Sequence, residues 1–206
     1  NNHTFEAQCD LVKTAFENQT LNEEDEIFQK LFSPSVDENI RNTQYDVITN
    51  KLSDNSTFVK VAIKAFLKNP SNDKDVFEVQ YDLAEQALKN QTLNKNDEIL
   101  KNLFSPSDDD ITRETQYSVL KNKLDSLKSF TENSSPIPDP IKNSLKVALD
   151  VFLQTPSSNK DALIQQCNLA SSSVFNKILN KDDKNIIINL LKNPSSNKDA
   201  LMQQCN

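Results

Sequence analysis

Side chains able to do chemistry are few in this chain. They are one histidine (His3), three cysteines (Cys9, Cys167 and Cys205) and two acidic runs, Glu23-Glu24-Asp25 and Asp108-Asp109-Asp110. Five Asn-x-Ser/Thr sequons add Asn2, Asn18, Asn55, Asn90 and Asn133. A nucleophilic serine or cysteine needs a neighbouring base, and the one histidine stands at residue 3, where a chain end frays. No CxxC spacing supports a zinc site, and neither acidic run has the central glycine of an EF-hand loop. Glycine is absent altogether, where average usage would give about 14, so no glycine-built phosphate loop exists. A non-enzymatic protein without metal or cofactor is expected.

The sequons point elsewhere. Asparagine is so frequent that their number decides nothing, but Asn18, Asn55, Asn90 and Asn133 all fall between predicted helices. A glycan needs an exposed loop, so one edge of the fold is expected to be glycosylated and the protein secreted. The absence of a starting methionine adds the expectation of a processed chain. Three cysteines cannot all pair within one chain. Equivalent positions on neighbouring helices lie about 8–10 Å apart, beyond the roughly 4.4–6.8 Å between Cα atoms that a disulfide spans, so free thiols are expected.

The elements that must position these residues are set by a stretch that recurs. Pro34-Ser35, Pro70-Ser71, Pro106-Ser107, Pro156-Ser157 and Pro194-Ser195 are separated by 36, 36, 50 and 38 residues. Ten residues after each proline comes a glutamine, then Tyr or Cys. The resulting ladders are Gln8, Gln44, Gln80, Gln116, Gln166 and Gln204, and Cys9, Tyr45, Tyr81, Tyr117, Cys167 and Cys205. Neighbouring helix positions are about 100° apart, so the Cys/Tyr ladder is assigned to the seam between repeats. The glutamines are left to link helices or to form a surface ladder lining a groove.

Apolar residues at Phe5, Cys9, Val12 and Phe16 have helical spacing, and Asn18 to Asn22 interrupt them. Asn22 is expected to cap a second helix led by the acidic run, with Ile27, Phe28, Leu31 and Phe32 on its face. Proline stops that helix, and Ser35 with Glu38 reads as a capping box opening the next. The expected fold is all-α: a right-handed, α-solenoid-like stack of antiparallel helical hairpins with a step of about 36 residues. Five hairpins cover about 1–34, 35–70, 71–106, 107–156 and 157–194, and a closing helix covers 195–206, as one domain. The Pro/Ser-rich stretch 131–140 is read as a long loop, with a domain boundary as the alternative. Hairpins one and three match at an offset of 72 residues: Phe5-Glu6-Ala7-Gln8-Cys9-Asp10-Leu11 corresponds to Phe77-Glu78-Val79-Gln80-Tyr81-Asp82-Leu83. Hairpins two and four share Thr-Gln-Tyr and Asn-Lys-Leu. The step resembles that of tetratricopeptide and pentatricopeptide repeats in architecture alone, without the glycine and tryptophan signature of the former.

A net charge of −7 and a pI near 4.8 have the wrong sign for a nucleic-acid binder. No apolar run is long enough to span a bilayer as a helix. The expected function is that of a secreted helical-repeat protein of effector or host-interaction type, binding a basic or polar macromolecule on its surface. One alternative is a carrier holding an apolar small molecule or lipid among phenylalanines such as Phe5, Phe16, Phe28, Phe32, Phe58, Phe66, Phe77, Phe104, Phe152 and Phe175. A structural or storage protein is the other.

Overall fold

The computed structural model describes residues 2–54, 56–128, 130 and 136–192. Among these the chain is all helical, with ten α-helices and no strand. Asn55, Asn133, Gln204, Cys205 and the closing helix expected over 195–206 lie outside the described residues, as does 131–135 of the proline-rich stretch.

The chain packs as two compact units, Asn1–Leu103 and Phe104–Asn206. The first holds α1 (Asn2–Glu17), α2 (Glu26–Phe32), α3 (Glu38–Asn50), α4 (Thr57–Leu67), α5 (Lys74–Lys89) and α6 (Glu98–Phe104), whose last residue falls across the division. Helix α4 is apolar nearly all round, and Phe58, Val59, Val61, Ala62, Ile63, Ala65, Phe66 and Leu67 are all buried. Such a helix can only be central. It packs on α1, α2, α3 and α5, while α1, α3 and α5 lie successively against one another. Four phenylalanines lock α1, α2 and α4 together. Phe28 lies 4.8 Å from Phe32, and the Phe58 ring is 5.6–6.0 Å from those of Phe16, Phe28 and Phe32, edge-on in each case. Edge-to-face pairs suit the ring quadrupole.

The second unit holds α7 (Asp110–Ser126), α8 (Asp139–Gln154), α9 (Lys160–Phe175) and α10 (Lys184–Lys192). Leu145, Ala148, Leu149, Phe152 and Leu153 of α8 are fully buried, and α8 packs on α7, α9 and α10. Lys146 of α8 bonds both Asp150, 3.0 Å away, and Asp183 in the short 3-10 turn Lys181–Asp183 before α10. Burial is the largest single influence and opposes both charges, but the hydrogen bonds (Lys146 to Asp183 and Asp150, Asn180 N–H to Asp183) and the charge attraction together outweigh it, holding Asp183 below the usual 3.8 and Lys146 above the usual 10.5. A depressed acid contributes stability above 3.8 and loses it as pH falls through its folded value; a raised base contributes below 10.5 and loses it above. Asp183→Asn should therefore cost about 1 kcal/mol at neutral pH, allowing for the partial exposure of Lys146. Paired denaturation curves should converge on acidification below 3.8.

Candidate functional site

The recurring stretch builds a joint, and its chemistry is consumed there. Proline has no N–H, so it orphans the carbonyl four residues earlier. At two joints the glutamine supplies the missing donor to that same carbonyl: Gln80 Nε2 donates to Phe66 O at 2.9 Å, and Gln166 Nε2 to Phe152 O at 2.8 Å. The same nitrogens donate onward to Asn69 O and Thr155 O. Gln44 Nε2 serves Leu31 O and Ser33 O, each at 2.8 Å, and Gln116 Nε2 serves Ser105 O at 2.9 Å. In all four, the amide oxygen accepts from the N–H of the motif serine (Ser35, Ser71, Ser107, Ser157) at 2.8–3.0 Å.

These glutamines are 0–2% exposed, so of the two roles left open they take the bonding one and form no surface ladder. Gln8 alone among the described ones is exposed. In the neighbouring ladder Cys9 and Tyr81 are buried, and Tyr45, Tyr117 and Cys167 are half-buried. Burial pushes the Cys9 thiol up to about 12, so it packs as a small apolar group. Cys9 and Cys167 are both outside any disulfide.

The capping assignment is corrected as well. Ser35 Oγ accepts from Asp37 N, and the helix is capped two residues later, by Asp37 accepting from Ile40 N at 3.1 Å. The cap recurs as Asp73, Asp109 and Asn159, three residues after each proline. Thr112 bonds Asp109 through its hydroxyl and N–H and holds that carboxyl below its ordinary range. The two arginines of the chain, Arg41 and Arg113, brace equivalent joints by donating to Ser35 O and Ser107 O, each at 3.0 Å. Sequence reading passed over both the Asp/Asn caps and this arginine pair, although each keeps the joint's spacing.

The sequon loops belong to a family of three. Asn18-Gln19-Thr20-Leu21-Asn22, Asn90-Gln91-Thr92-Leu93-Asn94 and Asn176-Lys177-Ile178-Leu179-Asn180 have one conformation, with φ of 57°, 59° and 58° at the second residue. In a chain without glycine these left-handed positions fall to Gln19, Gln91 and Lys177, at about 1–2 kcal/mol each. The closing bonds recompense this: Thr20, Thr92 and Ile178 each donate N–H to the carbonyl five residues back at 2.9 Å. Asn22 does not cap α2, which starts at Glu26; its Oδ1 accepts from Glu24 N in a turn that Asp25 closes by accepting from Asn22 N. In the first loop Asn18 is exposed and its side chain makes no bond among the described residues. Asn90 is exposed, but its Nδ2 donates to Gln86 O at 2.9 Å, and Asn176 is 1% exposed and in no sequon. Asn2 falls inside α1 rather than in a loop.

Two surface hollows of the first unit remain. One, of about 720 Å³, lies beside Asn18 and is lined by Phe16, Glu17, Gln19, Leu21, Asn22, Ser56, Thr57 and Phe58. The other, of about 480 Å³, brings both acid-bearing loops to α4. Val61, Ala65 and Ile99 form an apolar floor, Glu23, Glu24, Asp97 and Glu98 the acidic rim, and Lys64 lies on α4 with Lys68 at its C-cap. Asp97 is occupied by Asn94, whose N–H donates at 2.7 Å. Glu23, Glu24 and Glu98 form no ion pair among the described residues. Helix-start chemistry, expected for the first acidic run, does not use Glu23 or Glu24, because α2 begins at Glu26. Among the described residues no cluster of three or more His, Cys, Asp or Glu side chains could hold a metal ion, and no helix is long and apolar enough to cross a membrane. Compared with protein-family models, with curated proteins and with solved structures, the chain matches none.

Proposed function

We propose that this chain is a secreted, non-enzymatic helical-repeat protein, a solenoid-like stack of hairpins, that binds a basic segment of a macromolecular partner. The observation that carries this reading is the cleft over α4. Its four carboxylates outnumber its two lysines around an apolar floor, and three of them have no ion pair among the described residues. A cationic segment with an apolar residue or two complements such a surface in charge and in polarity. The joints support the non-enzymatic part, since their glutamines, serines and caps are engaged in backbone bonding. The carrier alternative finds less support, because Phe16, Phe28, Phe32 and Phe58 pack ring on ring.

Affinity capture from the fluid into which the protein is secreted, with the wild type beside the triple variant Glu23→Gln, Glu24→Gln, Glu98→Gln, tests the proposal. The captured partner should bind the variant about tenfold more weakly, and raised salt should weaken wild-type binding in the same way. A partner indifferent to both the variant and the salt, or no retained partner at all, would sink it.

A further inference from the structure

We infer that Asn18 carries an N-linked glycan whose first sugar lies over the groove formed by Phe16, Leu21 and Phe58. This rests on the reading of the protein as secreted, and it concerns a different surface from the acidic cleft. Of the three copies of the loop, only the first leaves the acceptor amide open. Asn18 is exposed and makes no side-chain bond among the described residues, whereas Asn90 is tied to Gln86 O and Asn176 is buried. Thr20 completes the acceptor triplet and is exposed, its hydroxyl donating to Ala15 O at 2.9 Å within the same loop, while Thr92 is 5% exposed and donates to Leu52 O. The neighbouring groove, about 720 Å³, joins a floor of Phe16, Leu21 and Phe58 to a rim of Gln19, Asn22, Ser56 and Thr57. A pyranose ring has an apolar C–H face and a hydroxyl edge, which match an aromatic floor and an amide-hydroxyl rim.

The donor is a sugar activated as a lipid-linked diphosphate. Asn18 Nδ2 attacks the anomeric carbon, a C–N bond forms as the C–O bond to phosphate breaks, the diphosphate leaves with the electron pair, and the amide gives up one proton. Nothing is oxidised or reduced.

Peptide mapping by mass spectrometry of protein from its native source should show the Asn18 peptide shifted by a glycan and converted to the Asp form by peptide-N-glycosidase. In the full chain secreted from a eukaryotic host, removing the glycan should lower Tm by about 2–4 °C and speed amide exchange across Phe16–Leu21. Asn18→Gln and Thr20→Ala, which remove the sequon in two different ways, should each abolish the mass shift and that response. An unmodified Asn18 in native material overturns the inference. A glycan whose removal changes neither Tm nor exchange overturns its seating on the groove. Partner capture persisting with Asn18 unmodified would leave the cleft reading standing, and a modified Asn18 without any captured partner would leave this one standing.

Discussion

Gln80→Ala should cost about 3–5 kcal/mol of stability, because it strips partners from three backbone groups at once, each worth about 1–3 kcal/mol when buried and unsatisfied. Those groups are Ser71 N–H, Phe66 O and Asn69 O, and the side chain that serves them is fully buried. Against a typical total of about 5–15 kcal/mol, that is a large share. Chemical denaturation of the wild type and the variant measures it, with two comparisons to fix the cause. Gln8→Ala removes the same residue type at the same repeat position, but from an exposed site, and should lie within about 0.5 kcal/mol of the wild type. Gln80→Glu keeps the acceptor but sets a carboxylate against two carbonyls, and should be worse than alanine at neutral pH. A loss below about 1 kcal/mol for Gln80→Ala would mean that water serves the joint as well as the amide does.

Phe58→Ala is expected to cost about 3–5 kcal/mol, the range for a large aromatic removed from a packed core. Phe58 is 3% exposed, and its ring meets those of Phe16, Phe28 and Phe32, so three helices lose contacts together. It also borders a small, partly open void of about 10 Å³ next to Cys9, Phe32, Val47 and Ala62, at the lower limit of the space one water molecule needs. The truncated side chain would enlarge this void into an apolar cavity. Thermal unfolding with and without a small apolar solute such as benzene should show the solute raising the Tm of Phe58→Ala and leaving the wild type unchanged. A comparable rise in the wild type would instead revive the carrier alternative.

Much of the helical layout was legible because proline and apolar spacing act locally. Pro34, Pro70, Pro106 and Pro156 each follow a helix within three residues, and the stripe of Phe5, Cys9 and Val12 is buried as its period requires. The burial of the glutamines was missed by an argument that was too narrow. Two positions 100° apart were taken to compete for the interior, but a packed helix buries a face at least that wide, and Gln80 and Tyr81 are both inside. With the seam given to Cys and Tyr, a surface position was left as one of two options for the glutamines. The accounting of orphaned carbonyls that proline imposes would have suggested the reverse. The third loop copy, at Asn176 to Asn180, was hidden because attention fell on the sequon, and Ile178 removes the sequon while leaving the conformation intact. The acidic cleft could not be read from spacing, since it depends on α4 lying between loops 72 residues apart.

Every bond of the glutamine joint closes within 14 residues of sequence. A segment copied with its proline and glutamine therefore brings its own hinge hardware, and needs no matching change elsewhere in the chain to turn the corner. Loop closure this short is cheap in entropy, so each joint can form early, on the timescale of its own helix rather than of the whole chain. Lengthening by duplication and rapid local folding would then be two results of the same ten-residue spacing.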